Sequence, residues 1–329
     1  MKVLLTGATG LLGLHIAREL LRQGYAVKAL YRSLPQAYTN LPWFGEIEWV
    51  KGNIAAASDV QKSLRGCQAL IHAAARTDPS PSDLASYYEA NILSTEIMLA
   101  AAEAMGIERF VYVSTAAVFR PGSLAVPATE ESPFAFHLMD SGYIASKYQA
   151  QQLVLKAVNA GLNAVIVNPA FMLGPYDLKP SSGAIIQHVL RSKHVFYPGS
   201  GGKSFIDVRD AARATVNALR QGKTGNSYLL ANENISYDRF FSLVAELSGR
   251  KKRLFPVPAS VLRSVGNLGS VGERVLRRPL RLNSINAVLM TQDNYYSGAK
   301  ARNELAMPMS PVRQAIEDAI DWFSATKPI

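Results

Sequence analysis

Tyr143 and Lys147, four residues apart in YIASK, are the first residues in this sequence whose types and spacing could do chemistry. A separation of four puts both side chains on one face of a helix. A neighbouring ammonium favours the tyrosinate, so it lowers the pKa of the tyrosine and makes the phenol a usable acid at neutral pH. Ser114 and Thr115 follow an earlier apolar run and could hold a carbonyl oxygen beside that phenol. The pattern predicts proton transfer at a substrate oxygen.

Three glycines, Gly7, Gly10 and Gly13 in TGATGLLG, form a second pattern near the start of the chain. The first permits a tight turn, the second lets the backbone approach a pyrophosphate, and the third allows a helix and a strand to pack closely. A strand-like run precedes them and a helical run follows, so the helix N-terminus would face the negative charge. The context predicts a dinucleotide-binding loop rather than a simple turn.

The end of the second predicted strand distinguishes the two nicotinamide cofactors. An acidic residue there binds the ribose hydroxyls of NAD, whereas an arginine accommodates the 2′-phosphate of NADP. The segment VKALYRS has no acid and carries Arg32 followed by Ser33. We therefore predict that NADP (NADPH) is favoured over NAD. The alternative is that Arg32 is a surface charge with no part in cofactor binding.

Short apolar runs alternate with helical-length segments over the first half of the chain, the pattern of βαβ units and a parallel sheet. Strands are predicted over Lys2–Leu5, Val27–Tyr31, Glu48–Val50, Ala69–Ala73, Phe110–Ser114 and Ala164–Val167. Helices are predicted over Leu11–Gln23, Ser58–Leu64, Ser86–Met105 and Gly142–Ala160. The predicted fold class is α/β, a doubly wound parallel (Rossmann) sheet of six or seven strands with a smaller C-terminal substrate-binding lobe.

The sequence pattern changes after Pro169, where Gly and Pro cluster in GPYDLKPSSG and YPGSGGKSF. Such clusters indicate loops, and loops at the carboxyl ends of strands are where ligands bind in these folds. We expect residues 1–168 to form the dinucleotide-binding domain, with 205–232 returning to it. Residues 169–204 and 233–329 would form the substrate-binding lobe.

Composition limits the class of protein further. Of the 329 residues 48% are apolar, which is ample for a packed core and excludes wholesale disorder. The single cysteine, Cys67, excludes a disulfide framework, and no His or acid cluster has metal-ligand spacing, so no metal is expected. No run approaches the roughly 18 apolar residues needed to cross a bilayer, and MKVLLTGATG is too short for a signal peptide. We expect a cytoplasmic protein.

The net charge of +10 is concentrated in one stretch, residues 250–281, which holds nine basic residues and one acid, Glu273. Nucleic acid is not the expected partner, because Phe255 alone interleaves with these charges. Residues 260–276 place apolar side chains among arginines, so they could cap a pocket or make peripheral contact with an acidic membrane. Three glycines lower the helix propensity of this segment and favour the cap.

These motifs together resemble the extended short-chain dehydrogenase/reductase family, and the resemblance covers almost the whole chain. TGATGLLG is similar to the family's cofactor loop, and IHAAA is similar to its fourth strand. EANILST resembles the helix with a structural asparagine, and VYVSTAAVF resembles the strand with the catalytic hydroxyl. YIASK is similar to the family's Tyr–Lys pair, and NPAFMLGP is similar to the loop closing over the nicotinamide.

The resemblance implies roles for individual residues. Tyr143 would donate or remove the proton, Lys147 would lower its pKa and hold the nicotinamide ribose, and Thr115 would orient the substrate oxygen. Asn53 stands where the family usually has an acid near the adenine. The implied cofactor-binding residues are Gly7, Thr9, Gly10, Leu11, Leu12, Gly13, Arg32, Asn53, Ile54, Ala73, Ala74, Ala75, Asn91, Tyr143, Lys147, Pro169 and Met172.

Within the family, the C-terminal part is similar to dihydroflavonol 4-reductases and 3β-hydroxysteroid dehydrogenases, which implies reduction of a ketone or aldehyde on an apolar small molecule. The substrate-lining candidates are Thr77, Phe119, His137, Phe171 and Tyr176. A 4,6-dehydratase would need an Asp-Glu pair after Thr115, where this chain has Ala116 and Ala117.

Two other functions stay open. One is a nucleotide-sugar epimerase or reductase, although Lys203 and Ser204 stand where epimerases usually carry an arginine. The other is a non-catalytic NADP sensor, although such proteins commonly lose the Tyr–Lys pair. Family members often form homodimers through two helices, here the ones predicted near Ser86–Met105 and Gly142–Ala160, so a homodimer is a further expectation.

Overall fold

The computed structural model describes residues 1–78, 83–276, 278, 280 and 282–325. In the first half, strands and helices alternate along the chain. The elements are β1 (Lys2–Thr6), α1 (Leu11–Arg22), β2 (Ala26–Tyr31), β3 (Ile47–Lys51), α2 (Ala57–Leu64), β4 (Ala69–His72), α3 (Ala85–Tyr87), α4 (Ser94–Ala104), β5 (Arg109–Val113), α5 (Gly142–Asn159) and β6 (Ala164–Pro169).

The second half contains shorter strands and more loop. Its elements are β7 (Phe171–Leu173), α6 (Ala184–Arg191), β8 (His194–Pro198), β9 (Gly202–Asp207), α7 (Val208–Asn217), β10 (Ser227–Leu230), β11 (Glu233–Ser236), α8 (Tyr237–Leu247), β12 (Arg253–Val257), α9 (Ala259–Leu276), α10 (Ser284–Thr291), β13 (Asp293–Asn294), α11 (Ala299–Glu304) and α12 (Val312–Ala325).

The main sheet has seven parallel strands in the order β3-β2-β1-β4-β5-β6-β10. Strands β4, β5 and β6 are buried throughout, because helices cover both faces of a parallel sheet and no polar alternation is needed. The fold class predicted from the sequence is confirmed. The strand order reverses between β1 and β4, and the crevice at such a switch point is where doubly wound sheets bind ligands.

Alternate residues of β1 supply the two cores. Val3 and Leu5 pack with α1 and α7 on one face, whereas Leu4 packs with α2, α4 and α5 on the other. Full burial of one such aliphatic side chain stabilises the fold by about 1.5–3 kcal/mol. The two layers therefore fix the position of β1, and with it the loop that leaves β1 at Gly7.

One predicted helix is divided in the structure. The segment predicted as a single helix over Ser86–Met105 consists of α3, one π-helical turn over Tyr88–Leu93, and α4. The hydroxyls of Ser94 and Thr95 donate to the carbonyls of Ala90 and Asn91 at this turn, and such bonds compete with regular helical hydrogen bonding. Such π-turns are frequent at functional sites, and this one carries Asn91.

A smaller lobe is formed mainly by the second half of the chain. Strands β11, β9 and β13 form a second sheet that β7 joins through β9, and β8 pairs with β12. Its core holds Phe205 and Phe240, whose parallel rings have centroids 4.4 Å apart, together with residues of α6, α8 and α12. Within the described ranges, no helix is long and apolar enough to span a bilayer.

Candidate active site

The loop between β1 and α1 is shaped to admit an anion. Gly7 has φ +76°, and a Cβ there would lie 2.6 Å from the amide nitrogen of Ala74. A Cβ on Gly13 would overlap the carbonyl oxygen of Gly7. Gly10 begins α1 with no side-chain cap, and the first helical turn carries no acid. The first-turn N–H groups are thus free of side-chain competition, which fits the pyrophosphate of a dinucleotide.

A hydrogen-bonded chain of buried side chains ties this loop to the segment after β4. The Ala74 N–H donates to the Thr6 hydroxyl oxygen (3.2 Å), and that hydroxyl lies 2.7 Å from Nδ1 of His72. Nε2 of His72 lies 3.3 Å from the hydroxyl of Thr95. Burial, assisted by the charge of Lys147, lowers the pKa of His72 to about 3, so the ring is neutral. Through Thr6, His72 therefore helps to fix the backbone at Ala74, a role that its place in an apolar run could not specify.

Asn91 joins the cofactor side of the site to helix α5. Its side-chain oxygen accepts from the Arg76 N–H (2.7 Å), and its amide nitrogen donates to the Arg76 carbonyl (3.1 Å) and the Ser146 hydroxyl (2.8 Å). Both polar atoms of this buried side chain are used within the protein. The residue named among the cofactor ligands therefore acts here as a positioning residue, as expected of a structural asparagine.

The residues predicted to hold the adenosine half of the cofactor lie at the ends of β2 and β3. Arg32 directly follows β2 and is exposed, and Asn53 and Ile54 follow β3. The side-chain oxygen of Asn53 accepts from the Ala55 N–H (3.0 Å), while the Asn53 N–H donates to Asp59 (2.8 Å). Asn53 thus orders the turn into α2. On the far side of the crevice, Pro169 ends β6 and Met172 lies half-buried in β7.

Tyr143 and Thr115 meet at the carboxyl ends of β5 and β6. Tyr143 is the second residue of α5, which Ser141 caps by accepting from the Ile144 N–H. Burial raises the pKa of the Tyr143 phenol, and the nearby Thr115 hydroxyl opposes that rise. Thr115 also accepts from the Ala117 N–H at 3.3 Å, which fixes its rotamer.

Lys147 lies one turn along α5 and is fully enclosed. Its Nζ donates to the Val113 carbonyl (2.7 Å) and lies 4.4 Å from the centre of the Tyr112 ring. Burial lowers the pKa of Lys147 to about 7. The prediction that its charge lowers the Tyr143 pKa is therefore not seen here, because the ammonium is itself desolvated and is directed at a carbonyl.

Asn168 and Gln151 support the backbone at Thr115 and were not predicted. The Asn168 amide donates to the Thr115 carbonyl (3.0 Å) and to the Gln151 side chain (2.9 Å). These bonds join β6, the strand end at Thr115 and α5. Asn168 opens the NPAFMLGP motif, so the sequence placed it near the site without indicating this role.

Tyr143 lies in a group of half-buried apolar side chains. Ala117, Met139 and two residues of α10, Val288 and Leu289, pack with Tyr143 against a small buried cluster of Ala135, Leu138 and Ile144. Sequence reasoning missed Val288 and Leu289, because they come from a helix far along the chain. The structure therefore adds two aliphatic residues of α10 to the apolar cluster that Tyr143 joins.

The five predicted substrate residues are not brought together at Tyr143. Phe119 is buried with its ring stacked on Phe134 (centroids 5.6 Å apart), so it is a core residue. Tyr176 packs on Trp322 of α12 and on His15 of α1 rather than against Tyr143. Both placements follow from long-range packing that a local motif does not encode.

The other three candidates lie at the edges of the crevice. Thr77 is exposed on the loop after β4, and half-buried Phe171 meets Phe205 edge-on. His137 is exposed beside a cavity of ≈310 Å³. The cavity is lined by Arg120, Pro121, Gly122, Ser123, His137, Gln292 and Asp293.

The glycine loop lies at the switch point of the parallel sheet, and helix α5 carries the Tyr143–Lys147 pair. Together these features define a dinucleotide-binding α/β oxidoreductase. The chain belongs to the NAD dependent epimerase/dehydratase family, which matches residues 3–231. It is therefore an enzyme of an NAD(P)-dependent class.

Relatives extend the match over the whole chain. A Synechocystis protein named "Putative dihydroflavonol 4-reductase" is 36% identical over 97% of this chain and 93% of its own length. A Stigmatella aurantiaca protein named 4-hydroxy-2-methyl-3-oxo-4-farnesyl-3,4-dihydroquinoline-1-oxide ketoreductase is 30% identical over 97% of this chain and 96% of its own. The crystal structure of gox2253 superposes with a TM-score of 0.85 at 29% identity, covering 98% and 97% of the two chains.

Proposed function

We propose that the protein is an NADPH-dependent reductase of a ketone or aldehyde carbonyl on a mostly apolar small molecule. The observation that carries the proposal is that Tyr143, beside the Thr115 hydroxyl, shares one apolar cluster with the half-buried side chains of Met139, Val288 and Leu289. A polar pair set into an apolar wall is suited to one carbonyl on a hydrophobic ligand. The ketoreductase name of one relative agrees with this chemistry.

The protein's own residues would handle the proton and the orientation. Because burial raises the pKa of Tyr143, the phenol carries its proton at neutral pH and is ready to donate it to the carbonyl oxygen. The Thr115 hydroxyl would hold that oxygen and stabilise the tyrosinate afterwards. Lys147, at the inner end of the same helical face, would hold the nicotinamide ribose. The nicotinamide, when bound, supplies the hydride.

The preference for NADPH depends on Arg32. Its exposed position directly after β2 leaves the guanidinium available to a 2′-phosphate, for which a planar cation is well suited. We expect Arg32→Ala to weaken NADPH binding by about tenfold or more, roughly 1.4 kcal/mol, and to leave NADH binding unchanged. Fluorescence titration of the wild type and the variant with both nucleotides measures this.

Arg302→Ala is the matched control, since Arg302 is an exposed arginine on α11. It should bind both nucleotides like the wild type. Equal binding of NADH and NADPH by the wild-type protein would contradict the proposed preference.

One observation favours the nucleotide-sugar alternative. Lys203 lies on β9 with its Nζ 5.2 Å from the centre of the Phe171 ring, and burial lowers its pKa to about 8. A substrate diphosphate could recruit this cation. The adjacent Ser204 is not available, because its hydroxyl bonds to Asn234 and Tyr296 inside the lobe.

A single assay separates these functions. NADPH oxidation would be followed with a panel of hydrophobic ketones and aldehydes of increasing chain length, and in parallel with UDP-glucose and dTDP-glucose as binding ligands. The proposal expects turnover that rises with the apolar size of the carbonyl compound and no binding of the sugar nucleotides. Tight sugar-nucleotide binding would support the epimerase or sugar reductase, and NADPH binding without any turnover would support a sensor.

A further inference from the structure

Helix α9 turns its aliphatic side chains toward solvent. Five of them recur at helical spacing on one side, and Leu268 and Val275 are 72% and 76% exposed. We name this surface the α9 face: Val261, Val265, Leu268, Val271 and Val275. A helix that covers a globular core normally points such a stripe inward, so the orientation is the reverse of the usual one.

Polar contacts on the opposite side of α9 fix that orientation. The Ser270 hydroxyl bonds the Ser284 hydroxyl at 2.9 Å, and Glu273 accepts from the Leu280 N–H at 2.8 Å. Arg263 donates to the hydroxyl of Thr291 at 3.1 Å. Rotating α9 to bury its aliphatic side would break all of these bonds.

Glycines on the inner side of α9 serve close packing. A Cβ on Gly266 would lie 2.6 Å from Cβ of Ala287, and one on Gly269 would overlap the Leu282 carbonyl oxygen. In the sequence, the glycines of this segment counted against a membrane-facing helix. In the structure, two of them, Gly266 and Gly269, allow α9 to pack tightly on α10. The helix is continuous over Ala259–Leu276 in spite of them.

The charge of the segment that contains the α9 face identifies what could cover it. Residues 250–281 carry a net charge of +8, and the exposed cations before and after the helix include Arg250, Lys251, Arg253 and Arg278. Arg277, Arg281 and the side chain of Arg274 lie outside the described residues. A second copy docked face to face would bring these like charges together, which disfavours self-association. An apolar stripe within a basic segment is instead complementary to anionic lipid.

We propose that the α9 face docks this protein onto the surface of an anionic phospholipid membrane. The aliphatic side chains would enter the boundary between headgroups and acyl chains, and the surrounding Arg and Lys residues would contact the lipid phosphates. Beneath α9, helix α10 contributes Val288 and Leu289 to the apolar cluster that Tyr143 also joins. Docking would therefore place the active-site layer next to the bilayer, so that an apolar substrate could be taken from it; this consequence rests on the proposed function.

Flotation with lipid vesicles tests the proposal on the full chain. Vesicles of phosphatidylcholine with about one third phosphatidylglycerol should bring the protein to the top of the gradient, while pure phosphatidylcholine vesicles should not. The triple variant Val265→Ser, Leu268→Ser and Val271→Ser should lose binding by about tenfold or more, because three aliphatic contacts with the acyl boundary are removed. Raising NaCl to about 0.5 M should also weaken wild-type binding.

A matched double variant, Leu124→Ser with Val126→Ser, removes two aliphatic side chains of similar exposure, 60% and 73%, elsewhere on the surface. It should float like the wild type, and both variants should keep the wild-type melting temperature and NADPH affinity. Wild-type protein that stays at the bottom with anionic vesicles would overturn the proposal. A triple variant that floats normally would also overturn it. The same holds for a triple variant whose only change is the loss of a dimer in analytical ultracentrifugation. Turnover of a water-soluble carbonyl compound without vesicles tests the proposed reductase separately.

Discussion

Replacing Tyr143 by Phe is expected to lower kcat for NADPH-dependent carbonyl reduction by about a thousandfold, within the range of general acid catalysis. The change removes the proton donor and keeps the ring, which packs against the cluster of Ala135, Leu138 and Ile144 and has its centroid 6.2 Å from that of the Tyr87 ring. Since Lys147 and the glycine loop are untouched, the affinity for NADPH should stay within about twofold. Single-turnover kinetics together with nucleotide titration measure both quantities.

Two substitutions at Thr115 are the controls for the hydroxyl that faces Tyr143. Thr115→Ser keeps the hydroxyl and should retain most of the activity, whereas Thr115→Val keeps the shape and should lose activity by about a hundredfold. Turnover by Tyr143→Phe within about tenfold of the wild type would show that the phenol is not the acid.

Adding one methyl group at Gly13 is expected to destabilise the whole fold, whereas adding it at Gly10 should weaken nucleotide binding alone. A Cβ at Gly13 overlaps the backbone carbonyl of Gly7, which cannot move without displacing β1. We expect Gly13→Ala to lower the free energy of unfolding by on the order of 3 kcal/mol. At Gly10 the nearest atom to an added Cβ is the Gly7 oxygen at 3.4 Å, and φ is −94°, so the apo protein should keep its stability.

At Gly10, the added methyl group is expected to affect nucleotide binding. A methyl group there would stand over the first turn of α1, where the pyrophosphate is expected to approach the backbone, so the Kd for NADPH should rise by about tenfold or more. Thermal unfolding without nucleotide and titration with NADPH separate the two effects. If Gly10→Ala binds NADPH like the wild type, the anion site does not lie over this turn. If Gly13→Ala is as stable as the wild type, the collision is relieved by local movement.

The family and the central sheet could be predicted from the sequence because their signals are local. Buried parallel strands such as β5 and β6 are continuous apolar runs, and the glycine spacing follows from the steric needs of one turn beside one helix. The YIASK pair needed only the helical period to place Tyr143 and Lys147 on one side of α5. The strand end offered both Ser114 and Thr115, and the family resemblance selected Thr115.

The orientation of side chains, by contrast, was decided by contacts between distant parts of the chain. The neutral ring of His72 depends on bonds to Thr6 and Thr95, and the lowered pKa of Lys147 depends on its enclosure beside the Val113 carbonyl. No spacing within a motif contains that information, because burial is a property of the assembled core.

On the substrate side, too, the sequence predicted the kind of residue and the structure decided which residues lie together. The sequence predicted an apolar substrate side and named Phe119 and Tyr176 among its residues, whereas the structure packs Phe119 on Phe134 and Tyr176 on Trp322, and it brings Val288 and Leu289 into the apolar cluster that Tyr143 joins. Composition likewise showed that α9 is both apolar and basic. Only the tertiary structure decided which side faces outward, because the hydrogen bonds and close glycine contacts with α10 can form in one rotation of the helix alone.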